Sequence, residues 1–293
     1  MAERLALLGW SRAGTHVLRA LGRTGAEVVG VWNRTPRSFG EFDQHALNAV
    51  PDLGAALAAR APTLIILATA DGAIRGLAEA LAAASPSLWR HHPLVLHLSG
   101  LHDSTILGAL AQAGAVTGSL HPLRSYPVHA TDDRGLEGAY VGVESGDPST
   151  VDRLLRLAAA AGARPFEIAS GAKIDYHLAA VHASNHLAAV FDASCRHFER
   201  AGLASELARA VAAELGRGTL ENLAKSGAEA ALTGPVVRGD LATVARHLET
   251  LPPGADRAFY LACARATLAL ARRAHADRAV VYTAMQRLLE EGA

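Results

Sequence analysis

Two side chains that exchange protons readily stand one helical turn apart in the second half of the chain. The segment that opens at Ser170 is predicted to be helical, and it carries Lys173 and His177. A spacing of four residues places both side chains on one face of a helix. Lys173 could protonate a developing oxyanion, since the pKa of a lysine falls readily on burial, and His177 could share this task. The alternative is that both are solvated near a helix start.

Two strand ends in the first half offer further polar groups. Ser99 and Gly100 follow an apolar run at 94–98, and His121 with Pro122 follows a run at 115–120. Ligands of open α/β sheets bind beyond the carboxyl ends of the strands. Ser99 could therefore hydrogen-bond a substrate carboxylate or a cofactor amide, and His121, whose ordinary pKa is near neutrality, could donate to a substrate oxygen. The alternative is that Ser99 belongs to a turn and His121 orders the loop before Pro122.

The elements that must position these groups alternate in the first half and become helical in the second. Continuous apolar runs, typical of strands buried on both faces, are predicted at 5–8, 28–32, 64–67, 94–98, 115–120, 139–143 and 165–168. After about residue 170 the pattern is Ala- and Leu-rich with helical period, broken near 233–235 and 251–254. We therefore predict an α/β Rossmann-like dinucleotide-binding domain at 1–168, followed by an all-α carboxy-terminal domain at 169–293.

A glycine turn joins the first strand to the first helix. Gly9 permits a tight turn, Gly14 lets the helix approach the strand, and the helix amino terminus offers N–H groups to a pyrophosphate. Ser11 stands where such motifs place a second glycine, so its hydroxyl either crowds the pyrophosphate or donates to it. Residues expected to bind the dinucleotide here are Gly9, Trp10, Ser11, Arg12, Ala13 and Gly14. The loop after the third strand contributes Thr69 and Ala70.

The tip of the second strand indicates which nicotinamide cofactor is bound. A carboxylate there would accept hydrogen bonds from the ribose 2′-hydroxyl and repel a 2′-phosphate, but this chain has Asn33, Arg34 and Thr35. Arginine binds phosphate through paired hydrogen bonds, so NADP(H) is favoured over NAD(H). The alternative is that Thr35 caps a helix beginning at Pro36 and Arg34 is solvated.

Composition excludes several classes of protein. The 293 residues are 50% hydrophobic and carry 28 basic and 28 acidic side chains, which argues against nucleic acid as the main partner. The first strand is predicted to begin almost at Met1, so we expect no signal peptide, and no apolar stretch is predicted to span a membrane. The two cysteines, Cys195 and Cys263, are predicted to be buried thiols, so we expect a cytoplasmic protein.

Other chemistries find less support. His182 and His186 stand one turn apart, a spacing that suits zinc, but no third ligand is identifiable and no metal is expected. Neither cysteine lies beside an evident base. Helical stripes rich in Ala and Leu predict a homodimer built by the helical domain, the alternative being that they are buried within one subunit. These stripes include Leu207, Ala208, Val211, Ala212, Leu215, Tyr260, Leu261, Ala264, Leu268 and Leu270.

Several of these motifs together resemble a family of oxidoreductases that joins a Rossmann-like amino-terminal domain to a carboxy-terminal domain of unknown function 2520. The shared motifs are the glycine turn, His97–Gly100, Ser119–Pro127, Lys173–His177, Ala183–Asn185, Leu232–Pro235 and Arg238–Asp240. Their carboxy-terminal region is of the 6-phosphogluconate dehydrogenase type, similar to pyrroline-5-carboxylate reductase, ketopantoate reductase and the β-hydroxyacid dehydrogenases. In the last two a lysine that opens the helical domain is catalytic, and Lys173 matches its position. The pair His121–Pro122 is similar to that of prephenate dehydrogenase.

The sequence thus supports two hypotheses. The first is an NADP(H)-dependent oxidoreductase acting on a small keto, imine or hydroxy acid in a cleft between the domains. Its catalytic candidates are Lys173, His177 and His121, and its substrate-binding candidates are Ser99, Gly100, Ser184 and Asn185. The second is a dinucleotide-binding sensor or assembly protein without turnover.

Overall fold

A computed structural model describes residues 3–48, 52–84, 86–126 and 135–292. The chain divides into two compact units, Met1–Ser184 and Asn185–Ala293. Each unit has a hydrophobic core of its own, and the first contains the sheet and every residue of the glycine turn.

The first unit is built on a sheet of seven strands. They are β1 Arg4–Leu8, β2 Glu27–Trp32, β3 Leu64–Leu67, β4 Leu94–His97, β5 Val116–Leu123, β6 Tyr140–Glu144 and β7 Arg164–Glu167. Their order across the sheet is β2-β1-β3-β4-β5-β6-β7, and every neighbouring pair is parallel except β5 with β6. The order in which strands are added to the sheet therefore reverses between β1 and β3, and doubly wound sheets bind their ligands at such a point.

Helices cover both faces of this sheet. They are α1 Arg12–Arg23, α2 Leu53–Arg60, α3 Asp71–Ala84, α4 Pro86–Trp89, α5 Gly108–Ala113 and α6 Pro148–Ala160. Side chains of β1 alternate between two cores: Leu5 and Leu7 lie in the core that contains Leu18 of α1, and Ala6 and Leu8 lie in the core that contains Ile74 of α3. Because both faces are covered, the inner strands are continuous apolar runs, as predicted.

The fifth strand is longer than the sequence predicts. His121 and Pro122 were expected to follow the strand, but β5 continues through both to Leu123. After Ser119 it has passed the end of β4 and pairs only with β6, so that His121 lies opposite Gly142. The edge of β5 that faced β4 has no neighbouring strand at this point. Proline, which lacks a backbone N–H, is tolerated on such a free edge because no hydrogen-bond donor is needed there. His121 is therefore held by a sheet rather than by a loop.

Beyond Glu167 the described chain contains no strand, as predicted. Its helices are α7 Lys173–Val181, α8 Leu187–Arg200, α9 Ser205–Ala231, α10 Pro235–Arg238, α11 Leu241–Thr250, α12 Ala255–Ala274 and α13 Ala279–Glu291. The predicted breaks separate α9 from α10 and α11 from α12. Shorter turns are 3-10 helices at Gly40–His45, Ser104–Leu107 and Ala276–Arg278, and a π-helix at His182–His186. None of the described helices is long and apolar enough to cross a membrane.

The helical stripes of the second unit are only partly buried. Ala208 and Ala212 of α9 and Leu261, Ala264 and Leu268 of α12 are buried, whereas Leu207 and Leu215 are 54% and 66% exposed. Both faces of α9 thus carry apolar side chains. Cys195 is buried as predicted, but the prediction for Cys263 was wrong: it is exposed on α12, because Leu261 and Ala264 take the core-facing positions.

Candidate active site

The glycine turn after β1 depends on both of its glycines. Gly9 has φ +104°, and a Cβ there would lie 2.7 Å from the carbonyl carbon of Ala68 at the end of β3. A Cβ on Gly14 would lie 2.6 Å from the Cβ of Ala68. The predicted reasons for these glycines, a tight turn and close packing of α1 on the sheet, are therefore confirmed.

Ser11, at the position of the second glycine, is the N-cap of α1. Its Oγ accepts a hydrogen bond of 3.1 Å from the backbone N–H of Gly14. The amides of Gly9 and Trp10 donate to Trp32 and Asn33. The next three amides, of Ser11, Arg12 and Ala13, make no hydrogen bond to another described residue. They are the N–H groups that a helix start leaves for an anion.

The tip of β2 is tied to the glycine turn by Asn33. Its side-chain Oδ1 accepts from the backbone N–H of Trp10 at 3.0 Å, and its Nδ2 donates to the carbonyl of Thr35 at 2.8 Å. The alternative in which Thr35 caps a helix at Pro36 was wrong, because residues 36–39 are not helical and the next helical turn begins at Gly40. Arg34 and Thr35 instead stand exposed at the tip.

A pocket of about 520 Å³ opens between these two segments and the end of β3. Its lining residues are Gly9, Trp10, Ser11, Trp32, Asn33, Arg34, Thr35, Ala68, Thr69, Ala70, Ala73, Gly76 and Leu77. Thr69 supplies a buried Oγ1 with no hydrogen-bond partner among the described residues. A buried hydroxyl in this state is stabilised by a ligand that hydrogen-bonds to it. The glycine turn, the β2 tip and the β3 loop thus form one pocket.

Some of the predicted cofactor-binding residues do not line this pocket. The Arg12 guanidinium donates to the carbonyl of Tyr126, beyond the end of β5, while Ala13 and Gly14 lie within the first turn of α1. Trp10 lines the pocket and packs edge-on against Phe39, with ring centroids 5.0 Å apart. Arg12 therefore connects the glycine turn to the end of β5.

Lys173, the first residue of α7, is buried against the loop after β4 and the middle of β5. Its side chain is only 2% exposed, and its Nζ donates to the carbonyl of Ser99 at 3.0 Å and to Ser119 Oγ at 3.2 Å. Burial lowers the pKa of Lys173 to about 8, although Glu144, Asp103 and Asp71 oppose that shift. Lys173 is therefore not a solvated side chain, and its proton is exchangeable near neutral pH.

The loop between β4 and Lys173 is held by buried polar side chains. Ser99 is buried, and its Oγ accepts from the backbone N–H groups of Leu101 and His102 at 3.1 and 3.2 Å. His97 accepts from the Ser99 N–H at Nδ1, so its Nε2 carries the proton and donates to the Asp103 carbonyl at 3.0 Å. Burial lowers the pKa of His97 to about 4. The turn predicted as the alternative for Ser99 is present, and in this turn the Ser99 carbonyl points towards Lys173.

His121 and Tyr176 form a second polar pair beside Lys173. His121 Nδ1 and Tyr176 Oη are 2.7 Å apart, and the Lys173 Nζ lies 5.5 Å from the centre of the Tyr176 ring. Burial lowers the pKa of His121 to about 4, helped by Lys173 and His177, and burial raises the pKa of Tyr176. His121 is therefore a neutral imidazole at physiological pH.

Gly100 lies between two imidazoles. A Cβ on Gly100 would be 2.9 Å from His121 Nε2 and 2.9 Å from His177 Nδ1. The His177 Nδ1 is buried and has no hydrogen-bond partner among the described residues. The structure thus brings together Lys173, His177, His121, Ser99 and Gly100, which the sequence placed in one site.

Ser184 and Asn185, the other predicted substrate-binding residues, lie in a π turn that follows α7. Residues 182–186 form this turn, which gives the side chains a different spacing from that of a continuous α-helix. Both residues are exposed there. The same turn contains His182 and His186, and among the described residues no three metal-binding side chains converge.

Several residues of this cluster, Ser119 among them, were not selected as site residues from the sequence. Glu144 ends β6 and is 2% exposed, and it accepts hydrogen bonds from Ser104 and Ser119. Tyr176 hydrogen-bonds to His121, and His97 holds the loop at Ser99. The available indication for Glu144 was an acidic residue directly after the apolar run 139–143, although the sequence did not reveal that this strand is antiparallel to β5.

The strand order, the reversal between β1 and β3 and the glycine turn define a doubly wound, Rossmann-like domain. Residues 4–122 match the profile of the Rossmann-like domain, and residues 139–267 match the domain of unknown function DUF2520. The chain therefore joins a Rossmann-like domain to a DUF2520 domain, and both the predicted family resemblance and the predicted fold class are confirmed. No curated protein sequence matches the chain significantly.

Solved structures share this fold over nearly the whole chain. A provisionally named NADP oxidoreductase of Bacteroides fragilis is 21% identical with a TM-score of 0.69, over 94% of this chain and 98% of its own. A protein of Thermotoga maritima is 22% identical with a TM-score of 0.62, over 94% and 99%. Pyrroline carboxylate reductase of Plasmodium falciparum, solved with NADP bound, is 10% identical with a TM-score of 0.55, over 99% and 97%.

Proposed function

We propose that this protein is an NADP(H)-dependent oxidoreductase that transfers a hydride between the cofactor and a small keto, imine or hydroxy acid. The observation that carries the proposal is Lys173, a buried lysine with a pKa of about 8 at the carboxyl edge of a sheet that also forms the glycine-turn pocket. An acid with a pKa near the working pH is suited to proton transfer.

The pocket has the groups that NADP(H) requires. The amides of Ser11, Arg12 and Ala13 would hold the pyrophosphate, and Arg34 would bind the 2′-phosphate, with no carboxylate at the β2 tip to repel it. The buried Thr69 hydroxyl would gain the partner that it lacks. When bound, the reduced cofactor supplies the hydride. The structural relatives from Bacteroides fragilis and Plasmodium falciparum, named for NADP, support this cofactor.

The remaining groups would bind the substrate and move the proton. Lys173, held by the Ser99 carbonyl and Ser119, would donate a proton to the substrate oxygen or nitrogen during reduction. His121, a neutral imidazole at physiological pH, and His177, both facing Gly100, would orient the substrate through hydrogen bonds. Ser99 would act mainly through its carbonyl, while Ser184 and Asn185 remain proposed substrate contacts. The name of the Plasmodium relative favours a cyclic imine acid among the candidate substrates.

The assembly and location are also proposals. The exposed leucines of α9, Leu207, Leu215 and Leu220, together with Val190 and Phe191 of α8, support a homodimer formed by the helical domain. We retain the domain boundary after residue 168 and a cytoplasmic location. The partners proposed are a small-molecule substrate and a second copy of the chain, but neither nucleic acid nor a membrane.

Two measurements test the proposed function. Fluorescence titration with NADPH and NADH would show tighter binding of NADPH. A screen of 2-keto acids and cyclic imine acids would then show oxidation of NADPH by at least one of them. Binding of NADPH without oxidation across the screen would favour the sensor, and binding of neither cofactor would refute both functions.

A further inference from the structure

A chain of buried hydrogen bonds connects Lys173 to a carboxylate that it does not touch. The Lys173 Nζ donates to Ser119 Oγ at 3.2 Å, and Ser119 Oγ donates in turn to Glu144 Oε2 at 3.2 Å. Glu144 also accepts from the backbone N–H of Ser104 at 2.7 Å and from the Ser104 hydroxyl at 2.8 Å. Glu144 is 2% exposed and Ser119 is fully buried.

The chemistry of Lys173 and Glu144 fixes the direction of both hydrogen bonds between them. An ammonium only donates and a carboxylate only accepts, so the Ser119 hydroxyl accepts from Lys173 and donates its one proton to Glu144. Both charges are removed from water, and each is costly unless the other is present. Loss of the negative charge would leave the positive one uncompensated.

We propose that Glu144 is a positioning residue that, through Ser119, holds the Lys173 ammonium at the sheet edge and keeps it protonated. The role of Lys173 as proton donor rests on the proposed function, whereas the coupling between Glu144 and Lys173 does not.

Other charged and titratable groups surround Lys173, and none replaces Glu144. Asp71 of α3 and Asp103 after β4 favour the ammonium, but both are partly exposed, so water screens them. His97 of β4 and His121 of β5 are neutral at physiological pH because their pKa values are about 4. On α7 itself, the Lys173 ammonium lies over the ring of Tyr176, and His177 stands one helical turn after Lys173. Among the residues around Lys173, Glu144 is the buried one that carries a negative charge.

The sequence makes the test unusually direct, because it contains only two lysines, Lys173 and Lys225. In a Lys225→Arg background, NMR of the protein labelled with ¹³C and ¹⁵N lysine reports Lys173 alone. A titration of its Cε and Nζ shifts, without cofactor or substrate, measures the pKa, expected at about 8. Glu144→Gln, which keeps the side-chain shape and removes the charge, should lower that pKa by about one unit or more.

Two further variants separate coupling from simple structural support. Ser104→Ala removes another hydrogen bond to Glu144 but leaves its charge, and should leave the Lys173 pKa unchanged. Ser119→Ala breaks the bridge and should lower the pKa, which gives a second test should Glu144→Gln fail to fold. An unchanged or raised Lys173 pKa in a folded Glu144→Gln or Ser119→Ala protein would overturn the proposal. Because no substrate is used, absence of reductase activity leaves this result standing and counts only against the proposed function.

Discussion

The Lys173 ammonium donates a 3.0 Å hydrogen bond to the backbone carbonyl of Ser99, a residue 74 positions earlier in the chain. This bond fixes the start of α7 on the loop that follows β4. Because the same loop carries Gly100, which faces both His121 and His177, it also sets where the two imidazoles lie relative to the ammonium. The candidate acid and the candidate substrate-binding groups are therefore parts of one buried arrangement.

Replacing Lys173 should abolish turnover while sparing the cofactor site. Lys173→Met keeps an extended apolar stem and removes the ammonium, so kcat should fall by about 10²–10⁴-fold, the usual contribution of a positioned acid. NADPH affinity, measured by fluorescence titration, should change little because Lys173 does not line the glycine-turn pocket. Lys225→Met, at an exposed position of α9, is the matched control and should retain full activity.

The two directions of the reaction should depend on pH in opposite ways. The pKa of Lys173 is lowered to about 8, so the ammonium is lost as the pH rises through that value. Reduction needs the protonated lysine and should slow above about pH 8, whereas oxidation needs the neutral amine and should accelerate there. Initial rates from pH 6 to 10 in both directions measure this. Parallel profiles would argue against Lys173 as the group that carries the proton.

Arg34 should determine the preference for NADPH. Arg34→Ala removes the cation at the β2 tip and should weaken NADPH binding by roughly 1–3 kcal/mol while affecting NADH much less. Arg37→Ala is a close control, since Arg37 is also exposed but does not line the pocket. Fluorescence titration of both variants with both cofactors distinguishes the two residues. An equal loss for NADPH and NADH in Arg34→Ala would refute recognition of the 2′-phosphate by this side chain.

A methyl group on Gly100 should displace the two imidazoles. The added Cβ in Gly100→Ala would approach His121 Nε2 and His177 Nδ1 to 2.9 Å, so both rings must move. We expect a large fall in kcat/KM with a loss of stability of about 1–3 kcal/mol, measured by denaturant unfolding. Gly108→Ala, which meets no atom within 4 Å, is the control and should leave both quantities nearly unchanged. Full activity in Gly100→Ala would exclude a role for this imidazole pair.

The exposed leucines of α9 should lie in a dimer interface. Light scattering at micromolar concentration should give twice the 30.5 kDa mass of one chain. Leu207→Glu combined with Leu215→Glu should shift the mass towards one chain, because both side chains are more than half exposed in the single subunit. Leu261→Glu, at a buried position of α12, should unfold the protein instead. A wild-type mass of 30.5 kDa would reject the dimer.

The sequence predicted the fold well because its indications are local. Runs such as Leu64–Leu67 are too apolar to be anything but buried, and Gly9 and Gly14 meet the spatial demands of a strand–turn–helix unit. The extension of β5 through Pro122 was missed since it depends on β4 ending earlier, which only pairing between strands reveals. The π turn at 182–186 was missed for a similar reason, as the residues themselves fit an ordinary helix.

The candidate site was foreseen in its principal groups but not in their support. Lys173 stood out because it opens a helix rich in apolar residues, and His121 because it follows an apolar run, where sheets of this kind bind their ligands. Glu144, Tyr176 and Ser119 did not, because their importance comes from hydrogen bonds across 25 to 55 residues of sequence. Ser11 is instructive as well: the helix cap that it provides, by bonding the N–H of Gly14, accounts for a serine at a glycine position.

The most direct test of the central claim is the oxidation of NADPH, followed by the loss of absorbance of its reduced nicotinamide ring, with a panel of cyclic imine acids and 2-keto acids. The wild-type protein should oxidise NADPH faster than NADH with at least one of these acids. Lys173→Met should bind NADPH equally well but turn it over at about a hundredth of the rate or less. Oxidation at an undiminished rate by Lys173→Met, or none by the wild-type protein with any acid, would contradict the proposed enzyme.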